Sequence, residues 1–406
     1  MSAPRLVIVD GIRTPFCKFN TSLAGLGADE LGRIAVNALL TRTGLDPKLI
    51  DEVIFGCVCQ PADAANVSRV IALRAGIPNS VPAVTVHRNC ASGFEAITTA
   101  YERMCAGRGS VYLVGGTESM SQVPLLFKSS AVKKYGALGA AKTTGKKLAA
   151  LAKFRLSDFE PRIALKLGLT DPVSGLNMGE TAELLARENG ITRQMQDEFA
   201  VLSHQHAIAA REKFSQEICS VYVNGKAITE DNGPRTDTTL EALGKLKPVF
   251  DRRHGTVTAG NSSQISDGAV ALLVMTEEKA HELGFRDPLG VLAEYAYTGC
   301  DPSRMGLGPV SAIRKAGMPL KVADLIEVNE AFAAQVLAVL KKLGDVPPEK
   351  LNVNGGSIAL GHPVGATGAR LVLSALKELQ RRNQRRALVS LCVGGGQGGA
   401  LWLEQP

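Results

Sequence analysis

Asn89-Cys90-Ala91-Ser92-Gly93 leads into a helical stretch from Gly93 to Ala106, then into the apolar run Val111-Tyr112-Leu113-Val114 and the pair Gly115-Gly116. The same order recurs late in the chain. His362 precedes a helical stretch from Ala369 to Arg381, then the strand-like Ala387-Leu388-Val389-Ser390-Leu391 and the glycines after Cys392. A second echo matches Gly44-Leu45-Asp46-Pro47-Lys48-Leu49-Ile50-Asp51-Glu52-Val53-Ile54-Phe55 with Gly317-Met318-Pro319-Leu320-Lys321-Val322-Ala323-Asp324-Leu325-Ile326-Glu327-Val328. Loop, helix, buried strand and glycine turn thus occur twice. Strands alternating with amphipathic helices indicate an α/β architecture, and the echoes imply duplication within it.

Both repeats carry chemistry next to glycine. Gly93 frees the backbone beside Cys90, and Gly394-Gly395-Gly396 after Cys392 lets main-chain N–H groups approach a ligand. Alone, either cysteine is as well explained as a small buried apolar filler. His362, in Gly361-His362-Pro363-Val364-Gly365-Ala366-Thr367-Gly368, adds a group able to take a thiol proton near neutral pH. By the second echo, Asn329-Glu330-Ala331-Phe332 begins at a strand end, where α/β folds put functional groups. A plain helix N-cap by Asn329 is the simpler alternative.

A chain of 406 residues suggests two or three domains, and 45% hydrophobic against 21% charged residues reads as an ordinary globular protein. The eight cysteines show no disulfide rhythm, and Leu6-Val7-Ile8-Val9 is too short for a signal segment. A reducing compartment follows, the cytoplasm or an organelle matrix, with no membrane span. Cys57 and Cys59 have no second pair or histidine near them, so no metal site is expected. A net charge of +7 suits an anionic partner, but 5% aromatics argue against a nucleic-acid platform. Eight Lys or Arg and no Asp or Glu lie between Ser119 and Ser157. This stretch opens a middle region departing from the α/β rhythm, with a helical part from Gly179 to Phe214 broken near Asn189-Gly190 and a polar turn at Asp231-Asn232-Gly233-Pro234.

Five segments in order, NCASG at Cys90, GTVTAGNSS ending at Ser263, NEAF at Asn329, GHPVGATG at His362 and CVGGGQG at Cys392, resemble the thiolase family over almost the whole chain. The resemblance implies a five-layered αβαβα thiolase fold of two similar α/β halves with an inserted loop domain. The expected division is 1–121 plus 262–286 for the first half, 122–261 for the insertion and 287–406 for the second half. It also implies roles. Cys90 would be the acyl-carrying nucleophile, His362 the base that takes its proton, and Cys392 the acid/base at the substrate α-carbon. Backbone N–H groups of Cys90 and Gly394 would form one oxyanion hole; His362 and a water held by Asn329 would form the other. Ser263, Phe250, Met178 and Met305 would line the coenzyme A and acyl region. No permanently bound cofactor is implied, since coenzyme A and acyl-CoA enter as substrates. Gln264, where glycine is common in the family, and His87 depart from its usual pattern.

The resemblance further implies homodimers or homotetramers. The basic stretch with Phe154-Arg155-Leu156 looks like the longer loop of β-subunits in fatty-acid oxidation complexes. It would then meet an α-subunit or an anionic membrane surface. A degradative 3-ketoacyl-CoA thiolase and a biosynthetic acetoacetyl-CoA thiolase use the same residues in opposite directions, and the loop favours the first. A condensing synthase would be expected to have a histidine at Asn329 and to lack Cys392. A non-catalytic lipid-binding relative would be expected to lose Cys90, His362 or Cys392; all three are present.

Overall fold

The computed structural model describes residues 3–344 and 346–406. In chain order, the strands of the first half are β1 (Leu6–Arg13), β2 (Cys17–Lys18), β3 (Glu52–Gly56), β4 (Ala83–Val86) and β5 (Val111–Ser119). Two short hairpins follow, from β6 (Leu125–Leu126) and β7 (Arg162–Ile163), and from β8 (Val221–Val223) and β9 (Lys226–Ile228). The remaining strands are β10 (Ser266–Thr276), β11 (Gly290–Gly299), β12 (Leu325–Val328), β13 (Arg386–Val393) and β14 (Gln397–Glu404).

The large sheet runs β12-β13-β14-β11-β1-β10-β5-β3-β4, with β2 on β10. Its two ends repeat each other. β3 pairs parallel with β5, which pairs antiparallel with β10, which pairs antiparallel with β1. Likewise β12 pairs parallel with β13, β13 antiparallel with β14, and β14 antiparallel with β11. The seam between halves is short: β1 meets β11 only at Val7–Val291 and Ile8–Gly290.

Helices Ser92–Cys105 and Val364–Arg382 fill the space between the two halves of the sheet. Phe94, Ile97, Leu371 and Leu376 from these helices share one apolar cluster with Ile54 and Val114 on one side and Val389 and Leu401 on the other. Gly93 permits the close crossing, because a Cβ there would stand 2.5 Å from the Ala369 nitrogen. Helix Ala28–Thr43 covers the outer face of the first half, and helices Gly308–Lys315 and Ala333–Leu343 cover that of the second. The result is the five-layered αβαβα fold. Strands β5 and β13 are covered on both faces, which explains their continuous rather than alternating apolar runs.

Two boundaries differ notably from the sequence reading. Gly115-Gly116, expected as a glycine turn, lies inside β5, where strands on both sides carry the pair through to Ser119. Helix Val364–Arg382 starts five residues before the expected Ala369. Gly365 and Gly368 lower its local propensity, but burial between two sheets outweighs that cost, about 1 kcal/mol per glycine. Between β5 and β10, helices Met178–Asn189 and Arg193–Ala209 are separated by left-handed Gly190 (φ 62°). Asp231, read as part of a polar turn, is instead buried against the Arg13 guanidinium at 2.7 Å. The expected basic surface also carries exposed Leu125, Phe127, Leu148 and Leu156, the last 92% exposed. No helix among the described residues is long and apolar enough to cross a membrane.

Candidate active site

The duplicated core links the loops of Cys90 and Cys392 and packs the helix that follows Cys90 against the helix that His362 precedes. Cys90 lies two residues before helix Ser92–Cys105, just after Asn89 in a left-handed conformation (φ 42°). Asn89 is short and polar enough to hold that backbone, and its Nδ2 donates to the Gly394 carbonyl at 2.7 Å. One side chain therefore links the two cysteine loops. Burial pushes the Cys90 thiol up, while N–H groups of Gly394 and of Cys90 itself, directed at the sulfur, pull it down. Burial wins, so the resting group is a thiol that needs a base.

The hydrogen bonding of His362 holds its ring in a form able to accept a proton. Thr367 spends its single hydroxyl proton on the Pro363 carbonyl at 2.9 Å, so its oxygen must accept from His362 Nδ1 at 2.7 Å. The neutral ring therefore carries its proton on Nδ1 and leaves a lone pair on Nε2, which is buried without a partner. Burial, and secondarily the Arg370 charge, lowers the imidazole to about 4, so it is neutral near pH 7. The ring is fixed from behind. The Gln264 carbonyl accepts from the His362 amide at 3.0 Å, and the Gln264 Nε2 donates to the Ile358 carbonyl at 2.8 Å. Gln264, which departs from the family habit, thus braces the histidine loop.

Asn329 follows β12 directly, and its amide N–H bonds the Ser390 carbonyl of β13 at 2.9 Å. Its Oδ1 accepts from Ser357 Oγ at 2.6 Å, which turns Nδ2 away as a buried donor with no partner. It is not a helix N-cap, since the next helix begins at Ala333 after Phe332. His362 Nε2 and Asn329 Nδ2 are thus among the buried nitrogens left without a partner, with those of Arg370 and Trp402. Buried polar groups are seldom left unpaired, and each of these nitrogens is free to meet a ligand oxygen.

Cys392 is the penultimate residue of β13 and is buried, with its thiol pushed well up by burial and then by neighbouring Cys90. It shares an apolar cluster with Met305, Phe332, Met178 and Phe250. Met178 opens helix Met178–Asn189, and its sulfur lies 3.6 Å from where a Cβ on Gly394 would stand. The Phe250 ring meets Phe332 edge-on at 6.0 Å. Ser263 is half-buried, with its amide on the Ala331 carbonyl at 2.9 Å, so the AGNSS and NEAF segments lie side by side.

Such an arrangement can activate a thiol, hold an oxyanion beside it and protonate a carbon. Comparison with known proteins identifies the lineage. The model of the thiolase N-terminal domain matches residues 6–278, and that of the thiolase C-terminal domain matches residues 286–405. This chain belongs to the thiolase family. It is 43% identical to an acetyl-CoA acetyltransferase of Pseudomonas aeruginosa, over 98% of this chain and 99% of the relative. It is 41% identical to a 3-ketoacyl-CoA thiolase of Pectobacterium atrosepticum, over 98% and 96%. Among solved structures, human mitochondrial 3-ketoacyl-CoA thiolase in complex with CoA aligns with a TM-score of 0.90 at 38% identity, covering 100% of this chain and 98% of that one. Proteins with these names are acyltransferases, the class to which this thiolase belongs.

Sequence reasoning missed the supports of the site. Asn89, Thr367 and Ser357 act by single hydrogen bonds that no spacing reveals. Glu330, inside the NEAF motif, is buried and accepts from Ser203 Oγ, Asn352 Nδ2 and the Ile358 amide. An acid between two apolar strand ends was the available signal.

Proposed function

We propose that this protein catalyses coenzyme A-dependent cleavage of 3-ketoacyl-CoA, and the reverse Claisen condensation, through an acyl group on Cys90. The observation that carries this reading is the buried, unpartnered Nε2 of a neutral His362 at the start of the helix packed on the one that follows Cys90, in a chain that also buries Cys392 and an unpartnered Asn329 amide. His362 takes the Cys90 proton, and the thiolate attacks the 3-keto carbon. Its oxygen becomes an alkoxide held by the N–H groups of Cys90 and Gly394. When the C2–C3 bond breaks, the electron pair passes to the acetyl-CoA enolate. The enolate oxygen is met by His362, now protonated at Nε2, and by Asn329 directly or through a water. Cys392 delivers its proton to C2, then takes the thiol proton of incoming coenzyme A. That thiolate takes the shortened acyl chain from Cys90 as acyl-CoA, and the Cys90 sulfur recovers its proton from His362. Each half is a thioester exchange or its carbon analogue, and no step leaves an unpaired buried charge.

Ser263, Phe250, Met178 and Met305 are assigned to the pantetheine and acyl channel, supported by the apolar cluster joining the last three to Cys392. Coenzyme A-dependent loss of acetoacetyl-CoA and of a long-chain 3-ketoacyl-CoA, by wild type and Cys90→Ala, tests the reading. Cleavage by wild type only is expected, and cleavage by both removes Cys90 as nucleophile. The substrate ratio separates the degradative from the acetoacetyl-CoA role.

For residues 122–261 we assign an inserted subdomain with a peripheral docking role toward an anionic membrane surface or an oxidation-complex α-subunit. Exposed Phe127, Leu148 and Leu156 among Lys128, Lys146, Lys147 and Lys153 support it. Pelleting with anionic vesicles, compared with a Lys→Ser loop variant, checks the membrane version; equal retention of both variants sinks it.

A further inference from the structure

Glu118 is a buried carboxylate that the reaction above does not use. It sits near the end of β5, fully enclosed, and four donors saturate its oxygens, none of them a cation. Oε1 accepts from the Cys59 amide at 2.8 Å and the Cys57 thiol at 3.6 Å. Oε2 accepts from the Val58 amide at 3.1 Å and from the Gly365 amide at 2.8 Å. Three donors come from the turn after β3 in the first half. The fourth comes from the opening turn of helix Val364–Arg382 in the second half, three residues past His362.

The surrounding backbone is shaped for this contact. A Cβ on Gly365 would stand 2.8 Å from the Thr117 carbonyl oxygen, and one on Gly116 would stand 2.0 Å from the Gly365 oxygen. Gly93, three residues past Cys90, touches the same turn: its Cβ would lie 3.2 Å from that Gly365 oxygen. Strand, nucleophile helix and histidine helix therefore converge within van der Waals contact, and Glu118 is the polar bond between halves at that point. A buried carboxylate without a cation costs several kcal/mol to desolvate, so the fold retains it against a penalty. Burial raises its pKa, and its charge contributes to raising that of Cys90.

We propose that Glu118 is the positioning residue that sets the His362 loop against Cys90 across the interface between halves, by anchoring the Gly365 amide to the Cys57–Cys59 turn. The inference rests on the reading of Cys90 and His362 as the reacting pair. Glutamine at this position would present an NH2 to backbone N–H groups, donor against donor, and push the helix start away. Misplacement on the order of 1 Å costs about 10²-fold in rate.

The test compares wild type, Glu118→Gln and Glu118→Asp by steady-state thiolysis of acetoacetyl-CoA, with thermal unfolding as a folding check. Iodoacetamide labelling of wild type, mapped by peptide mass, is run first. Loss of activity on labelling at Cys90 upholds the reacting pair; full activity with Cys90 labelled ends that reading independently of Glu118. The proposal expects kcat to fall about 10²-fold in Glu118→Gln and about tenfold in Glu118→Asp, which keeps the charge and acceptor set, with KM for coenzyme A within about twofold in both. Folded Glu118→Gln with kcat within about twofold of wild type overturns it, as does a loss carried by KM. If Glu118→Gln does not fold, Glu118→Asp decides on the same readings.

Discussion

Cys90 and His362 occupy matching places in the two halves, each just ahead of the helix that lies between the sheets. The other positions have diverged. Tyr112 pairs with Glu52 as Ala387 pairs with Leu325, so Thr117 corresponds to Cys392 and Gly56 to Asn329. Thr117 spends its hydroxyl on the Ala28 carbonyl at 2.5 Å, and Gly56 lies where a Cβ would strike Ser92. In the first half these positions serve packing; in the second they hold a thiol and an amide to which the proposed reaction assigns chemistry. Duplication supplied two helix starts facing one another, and only one side then needed the base, the acid and the amide.

The comparison can be broken most severely at its nucleophile. Cys90→Ala is expected to lower thiolysis by at least about 10³-fold, read as initial rate at saturating substrate, because no other group forms the acyl intermediate. Asn329→Ala removes the divergent amide and is expected to cost about 10²-fold in kcat with little change in KM for coenzyme A. A loss confined to KM would move Asn329 out of the oxyanion role. Thr367→Val removes the acceptor that fixes the His362 tautomer, and about a tenfold fall in kcat is expected, with unfolding temperature reporting any packing change.

The smallest effect sharpens the electrostatics of the two helix starts. His362 titrates near 4 in the folded chain against an ordinary 6.5, so the unfolded chain binds its proton more readily in between. Stability from the neutral ring is therefore present above about pH 6.5 and is lost as pH falls toward 4. His204, lowered likewise to about 4 by burial, contributes in the same window. Urea midpoints for wild type and His362→Asn should thus converge on acidification from 6.5 to 4; parallel profiles would contradict a buried neutral ring.

The duplication and the order of the core elements are legible in the sequence, because periodic apolar runs are local signals, whereas the roles of the site residues come only from the resemblance to the family. The start of helix Val364–Arg382 is not legible, since Gly365 and Gly368 look like a turn until two sheets enclose them. The polar turn at Asp231 gives no sign of its ion pair, because its partner, Arg13, lies 218 residues away. Gln264 looked like a departure that put ligand geometry in doubt, whereas its contacts are with the Ile358 carbonyl and the His362 amide. Long-range hydrogen bonds of this kind have no period to detect.

The seam between β1 and β11 has a consequence for how the chain can be divided. Each half's sheet is contiguous in sequence, β1 to β10 and then β11 to β14, joined across only two residue pairs. A cut in the connection from Glu277 to Leu289 would leave both strand sets whole but uncover the apolar faces of the two inner helices. Fragments made this way should precipitate alone and regain thiolysis when co-refolded, so the protein is a candidate for split-enzyme complementation.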